Sequence, residues 1–80
     1  MIVNSSIWLM KRDVDLVIIG NRMCSFRMQR KLTQKEVADL MHIDTKNYSR
    51  LECGRQNPTY KMLLKFCKAV KISIKKLMPK

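Results

Sequence analysis

Apolar residues recur at helical spacing through most of the chain. The first such pattern has apolar residues three or four positions apart, the spacing of one face of an α-helix: Leu16, Ile19, Met23 and Phe26. We expect this helix to begin near Asp13 or Asp15, because either carboxylate can cap it. It is expected to end near Lys31.

A second pattern, over residues 33–41, predicts a short helix with a capped start. Thr33 stands three residues before Glu36, which is the spacing of a capping box. The inward residues predicted for this helix are Val37, Ala38, Leu40 and Met41.

A third pattern, over residues 44–52, predicts another short helix. Asp44 is expected to cap it, because a carboxylate can accept the free amide hydrogens of the first turn. Tyr48 and Leu51, three residues apart, are the inward residues, and Gly54 is expected to end the helix in a left-handed conformation. The outer face then carries short polar and long basic side chains: Thr45, Lys46, Asn47, Ser49 and Arg50.

Two further helices are expected after this pair. Thr59 caps the fourth helix, whose apolar stripe consists of Met62, Leu63, Phe66, Cys67 and Val70. Ser73 caps a short fifth helix that ends at Pro79, and its inward residues are Ile74, Leu77 and Met78. With no strand pattern in the sequence, these elements predict an all-α fold, a compact five-helix bundle.

The net charge of the chain indicates which kinds of partner it can bind. Seventeen Lys and Arg residues against six Asp and Glu give a formal net charge of +11 over 80 residues. A domain this basic favours a polyanionic partner, either nucleic acid or an anionic membrane. No apolar run reaches the roughly 18–20 residues that a membrane span needs, so we expect no membrane insertion.

Cysteine usage indicates a reducing compartment and no metal centre. The three cysteines, Cys24, Cys53 and Cys67, form no CxxC pair and cannot all be paired within one chain, so a disulfide framework is not expected. A zinc site needs about four clustered ligands, whereas these cysteines are scattered and His42 is the only histidine. We expect a cytoplasmic protein without metal or cofactor.

The chain resembles the XRE-like group of helix-turn-helix domains, the Cro and phage-repressor type. The similarity runs from about Ile19 to about Leu77. The residues that carry it are Leu32-Thr33-Gln34, Val37-Ala38, Ile43-Asp44, Tyr48-Ser49-Arg50-Leu51-Glu52, Gly54 and Asn57-Pro58-Thr59. The resemblance implies a lambda-repressor-like DNA-binding domain at 13–78, preceded by an N-terminal extension at 1–12.

By this resemblance, helix 44–52 is the recognition helix that lies in the major groove of double-stranded DNA. The base-contact candidates are Thr45, Lys46, Asn47, Ser49 and Arg50. Lys46 or Arg50 could donate to guanine, Asn47 could pair with adenine or hold a phosphate, and Thr45 could touch a thymine methyl group.

The resemblance also implies contacts with the DNA backbone. Gln34 stands at the start of the second helix, where free amides suit a phosphate. Further phosphate contacts are expected from the following loop and from the start of the fourth helix: Arg55, Gln56, Asn57, Tyr60 and Lys61. Within the domain, the resemblance implies an ion pair between Arg27 and Glu52, because a partly buried carboxylate needs a partner; otherwise Arg27 is a solvated surface residue.

Several positions depart from the family pattern, and two of them are expected to strain the backbone. His42 and Lys71 stand where the family commonly has a left-handed glycine. A residue with a Cβ atom costs roughly 1–2 kcal/mol in that conformation. Lysines that begin helices oppose the helix dipole; a phosphate explains Lys61, whereas the other surface lysines are expected to be solvated.

The N-terminal extension allows three interpretations. It is a frayed tail or a strap over the core, a dimerisation arm with Trp8 as its anchor, or a DNA-contacting arm that uses Lys11 and Arg12. A tryptophan carries a large apolar area, which favours some form of burial for Trp8.

The sequence therefore predicts a sequence-specific DNA-binding transcriptional regulator, a homodimeric repressor of phage, mobile-element or antitoxin-like type. The alternative is a protein-interaction module in which the helix-turn-helix is a scaffold for a toxin or anti-repressor. Structured RNA is a further possible target. An enzyme is not expected, because there is no Ser/His/Asp set and no glycine-rich phosphate loop. No small-molecule ligand is expected either.

Overall fold

The computed structural model describes residues 2–78, and the side chains of residues 15–78. Its elements are α1 (Ile2–Gln29), α2 (Gln34–Met41), α3 (Thr45–Glu52), α4 (Tyr60–Val70) and a closing 3-10 turn (Ile74–Lys76). The described residues form no strand. The all-α prediction is confirmed, and the predicted helix-turn-helix is the pair α2 and α3.

The start of α1 differs from the prediction. The helix begins at Ile2 and not near Asp13 or Asp15. The polar run Asn4-Ser5-Ser6 does not break it, because Asn and Ser cost at most about 0.7 kcal/mol each in a helix. Residues 2–12 are thus a continuation of α1, whereas the Trp8 side chain lies outside the described side chains.

The predicted fifth helix is only a 3-10 turn. Ser73 caps it as predicted, with its hydroxyl oxygen accepting from the Lys75 amide at 3.3 Å. A helix of one turn gains too few hydrogen bonds to sustain itself, and short connectors commonly adopt 3-10 geometry. Leu77 is fully buried and closes the core, whereas Met78 is exposed. Pro79, the predicted end of this helix, lies outside the described residues.

The core lies where the four helices meet. The largest side chains without solvent contact are Tyr48, Phe66, Met23, Met41, Leu77, Val37 and Val70. The rings of Tyr48 and Phe66 stack with centroids 6.2 Å apart, which joins α3 to α4. Leu40 is an exception to the predicted inward set, because it is 54% exposed.

The caps predicted for α2, α4 and the 3-10 turn are present, whereas the cap of α3 lacks its side-chain hydrogen bond and the residues predicted to cap α1 lie inside that helix. Thr33 and Glu36 form the capping box, and Thr59 accepts from the Met62 amide at 3.1 Å. His42 and Lys71 both adopt left-handed conformations with φ of 60°. Asp44 occupies the N-cap position but makes no side-chain cap hydrogen bond. Its exposed carboxylate remains in solvent, so the first amides of α3 have no side-chain acceptor from this residue.

Gly20 allows α1 to approach the end of α3 closely. A Cβ atom on Gly20 would lie 2.6 Å from the Leu51 carbonyl oxygen and 2.4 Å from the Glu52 carbonyl oxygen. Gly54, with φ of 72° as predicted, faces Val17 of α1 on the same side. These two glycines let the backbones of α1 and of the α3 terminus pack directly against each other.

Among the described residues, no helix has both the length and the apolar character needed to cross a membrane.

Substitution Gly20→Ala tests this close approach. Alanine favours a helix by about 1 kcal/mol, but its methyl group would meet two backbone oxygens. We expect the overlap to dominate and to lower the free energy of unfolding by about 1–3 kcal/mol, as measured by denaturant titration. Asn21→Ala, at the exposed neighbouring position, is the matched control. A Gly20→Ala protein as stable as the Asn21→Ala protein would contradict the packing described here.

Candidate nucleic-acid interface

The outer face of α3 is polar and cationic. Its inner face buries Tyr48, Leu51 and Glu52. Lys46 and Arg50 are exposed on the opposite side. Because they are four residues apart, they are neighbours on the helix surface. The remaining base-contact candidates are half-buried at the margins of this face: Thr45, Asn47 and Ser49.

A buried carboxylate holds α3 in place from behind. Glu52 lies at the end of α3, and its side chain is 5% exposed. The Arg27 Nε atom, from α1, lies 2.6 Å from Glu52 Oε2, and a second Arg27 nitrogen lies 3.3 Å from Oε1. The Arg27–Glu52 ion pair is therefore part of the structure.

Two further donors converge on the same carboxylate. The Gln34 amide nitrogen donates to Glu52 Oε1 at 2.9 Å, and the Tyr48 hydroxyl donates to Oε2. Arg27 also donates to the Leu32 carbonyl oxygen at 2.7 Å. The Glu52 network, defined as Arg27, Gln34, Tyr48 and Glu52, thus links α1, α2 and α3.

Burial and hydrogen bonding act in opposite directions on Glu52. Burial raises the pKa of its carboxyl group, but the hydrogen bonds from Arg27, Tyr48 and Gln34 together lower that pKa below its usual value. Burial and the neighbouring carboxylate raise the pKa of Tyr48. Glu52 therefore stays ionised and Tyr48 stays protonated near neutral pH, which is the pairing the network needs.

The sequence did not reveal the role of Gln34 in this network. Gln34 was predicted to contact a phosphate, and in the structure one amide hydrogen is used by Glu52. An amide group carries two hydrogens, so the phosphate contact remains a prediction. Tyr48 and Glu52 are four residues apart, a spacing that indicates their contact, whereas the Gln34 contact joins positions 18 apart.

The other predicted phosphate contacts follow α3 in the chain. Arg55, Gln56 and Asn57 lie in the loop after α3, and Tyr60 and Lys61 begin α4. Tyr60 is 66% exposed. Of all predicted base- and phosphate-contact side chains, Gln34 is the only one that hydrogen-bonds another residue within the described part of the chain.

Few positive charges are neutralised internally. The described side chains form two ion pairs, Arg27–Glu52 and the exposed Lys35–Asp39 pair. Among the described side chains, most Lys and Arg residues are therefore exposed and unpaired, as a polyanion-binding surface requires.

Comparison with known proteins agrees with this geometry. The sequence model of the helix-turn-helix family matches residues 25–77, and the chain belongs to this family. Among the curated protein sequences, none matches this chain significantly.

Solved structures of two regulators are similar to this chain. The restriction-modification controller protein C.AhdI from Aeromonas hydrophila superposes with a TM-score of 0.79 at 29% identity, over 81% of this chain and 98% of its own. The clp gene regulator ClgR from Corynebacterium glutamicum gives 0.74 at 26% identity, over 78% of this chain and 80% of its own. Fold, family and the free outer face of α3 together define a DNA-binding transcriptional regulator of the XRE type.

Substitution Glu52→Gln tests the network through its pH dependence. Because the folded-state pKa of Glu52 is lowered, its stabilisation is complete above the unfolded pKa of about 4.3 and is lost as pH falls through the folded value. We expect Glu52→Gln to lower the free energy of unfolding by about 3 kcal/mol at pH 7, since Arg27 loses its buried counter-charge. The difference from the wild-type protein should shrink at acid pH, as measured by denaturant titration between pH 3 and pH 7.

Asp39→Asn is the matched control, since it removes the exposed carboxylate paired with Lys35. An exposed pair contributes about 0–1 kcal/mol, so this variant should resemble the wild-type protein. A loss in Glu52→Gln that is independent of pH would contradict the ionic character of the network.

Proposed function

We propose that this regulator binds a two-fold symmetric operator as a homodimer and represses transcription there. The observation that carries the proposal is the outer face of α3, where Lys46 and Arg50 are exposed side by side and form no hydrogen bond within the described part of the chain. The major groove of B-DNA admits one α-helix and presents a distinct donor and acceptor pattern for each base pair.

Each side chain of α3 has a proposed role in base recognition. Arg50 and Lys46 donate to the O6 and N7 atoms of guanine, and Asn47 pairs with adenine. Thr45 touches a thymine methyl group, and Ser49 makes a weaker hydrogen bond. Residues near the start of a recognition helix reach base edges, which supports the assignment to Thr45, Lys46 and Asn47.

The phosphate contacts fix the position of α3 in the groove. Phosphate contacts set register and orientation without carrying sequence information. We assign this role to Gln34, Arg55, Gln56, Asn57, Tyr60 and Lys61. In a homodimer, Arg55 and Lys61 supply four cations. Through counterion release, these four contacts alone should lower the affinity of the dimer for DNA about 100-fold when the salt concentration rises fourfold.

The similar structures support a regulatory role. C.AhdI is a restriction-modification controller, and ClgR is a clp gene regulator. Repression is the simplest consequence of a small domain that occupies DNA, because binding alone blocks access to a promoter.

We further propose that the homodimer forms through the N-terminal extension, with Trp8 as its anchor. Two-fold symmetry doubles the base contacts that one small domain can make. Tryptophan is the residue type most enriched at interface hot spots. The backbone of this segment is helical from Ile2 onward, which is compatible with helix packing between two copies.

The double substitution Lys46→Ala with Arg50→Ala tests the recognition face. The preferred duplex is first selected from a random DNA pool with the wild-type protein. We expect the double variant to bind that duplex about 100-fold or more weakly, since each good base contact contributes about 1–3 kcal/mol. Its thermal unfolding should match the wild-type protein, because both side chains are exposed.

Lys75→Ala with Lys76→Ala is the matched control. This variant removes the same charge from the exposed 3-10 turn, and it should retain most of the affinity. Equal affinity of both double variants would overturn the proposed recognition face. Wild-type binding that is unchanged between low and moderate salt would contradict the phosphate contacts.

Substitution Trp8→Ser tests the proposed dimer. We expect sedimentation equilibrium to show a dimer dissociation constant raised by about 30-fold or more, since an interface tryptophan commonly contributes about 2 kcal/mol. Met28→Ser is the control, because Met28 is 63% exposed on the same helix. A Trp8→Ser protein that remains dimeric would place the interface elsewhere.

A further inference from the structure

A groove runs along the side of α4. It is an open hollow of about 720 Å³ between α4 and the segment that follows it. Its apolar floor is formed by Leu64, Cys67, Ile72 and Ile74. Leu64 is 41% exposed, although it stands in the middle of a helix that buries Leu63 and Phe66 away from the groove. We name this surface the α4 groove.

Four lysines form the rim of the α4 groove: Lys61, Lys65, Lys68 and Lys71. No acidic residue lines it, and none of these lysines belongs to an ion pair among the described side chains. Lys61 and Lys65, four positions apart on α4, repel each other. Lys61 also opposes the dipole at the helix start. The folded domain therefore gains nothing from this concentration of charge.

A second hollow continues the α4 groove toward the end of α2. It is lined by Leu40, His42, Lys65, Lys68 and Ala69, so Lys65 and Lys68 border both hollows. Leu40 is 54% exposed. The two hollows thus present exposed leucines, one on each side of a line of lysines.

We propose that the α4 groove binds an acidic amphipathic helix of a partner protein. In such a helix, apolar residues on one face cover Leu64 and Leu40, while acidic residues at the margins pair with the lysines on the rim. The proposal concerns a surface outside α3 that shares only Lys61 with the proposed phosphate contacts, and the variants that test it leave Lys61 unchanged.

The chemistry of the groove favours this occupant over the others. A second copy of the chain would bring lysines against lysines, and like charges across an interface are repulsive. Nucleic acid would satisfy the lysines through its phosphates but would leave the aliphatic floor exposed to water. Only a partner that is both acidic and apolar matches the rim and the floor together.

The test uses a synthetic peptide and fluorescence anisotropy. The probe is a labelled helical peptide of about 18 residues, built from Glu and Leu with leucines at i, i+3, i+4 and i+7. We expect saturable binding to the full chain without DNA. A peptide of the same composition, with its leucines scattered around the helix, should bind at least about 10-fold more weakly, because its apolar face is lost.

Three variants locate the binding surface. Lys65→Glu with Lys68→Glu, and separately Leu64→Ser, should each weaken peptide binding by about 10-fold or more, since both the charged rim and the apolar floor contribute. Lys75→Glu with Lys76→Glu changes the net charge equally outside the groove and should change binding by less than about 3-fold. Thermal unfolding of each variant confirms that the fold is intact.

Several results would overturn the proposal. The first is that the peptide does not bind the wild-type chain. The second is that the scattered peptide binds as tightly as the amphipathic one. The third is that the two double-lysine variants lose the same amount of peptide affinity. The selected operator duplex provides the final comparison. If Lys65→Glu with Lys68→Glu weakens DNA binding as much as peptide binding, and Leu64→Ser weakens neither, the lysines serve nucleic acid and the proposal is wrong.

Discussion

The structure depends on the carboxylate of Glu52, the one buried charged group among the side chains of residues 15–78. Glu52 accepts hydrogen bonds from Arg27 of α1, Gln34 of α2 and Tyr48 of α3 itself. A buried charge is tolerated only when it is paired and its lone pairs are satisfied. The α3 helix is therefore held from the inside at its carboxyl end, opposite to the start that we propose contacts base edges. Rotation of α3 about its axis would break several of these bonds together, which fixes the direction in which Lys46 and Arg50 project.

The backbone contact at Gly20 complements this network. Because Gly20 lacks a side chain, α1 lies directly against the carbonyl groups that end α3. Arg27, two turns further along α1, then reaches Glu52. The inner half of α3 is occupied by packing and hydrogen bonds, and the outer half is left free. This division of one short helix into an anchored side and a free side is the physical basis of the recognition face that we propose.

Local features of the sequence predicted most of the fold. The capping box of Thr33 and Glu36 and the inward Tyr48 and Leu51 follow from short-range spacing, whereas the left-handed conformation of His42 was implied by the family resemblance. The predicted start of α1 was wrong, because helix propensities differ by only tenths of a kcal/mol at polar residues such as Ser5 and do not by themselves end a helix. The bond from Gln34 to Glu52 was missed, because it joins two separate helices. Leu40 was wrongly predicted to face inward, because a helical pattern of apolar residues does not tell which of them a particular fold leaves exposed.

The most direct test of the account is methylation interference on the selected operator duplex. Methylation of guanine N7 blocks a hydrogen-bond acceptor in the major groove, and methylation of adenine N3 modifies the minor groove. We predict interference by N7 methylation at discrete guanines in both half-sites, and loss of interference at one guanine per half-site in Arg50→Ala or Lys46→Ala. Interference confined to the minor groove, or a pattern unchanged in both variants, would contradict the placement of α3 in the major groove.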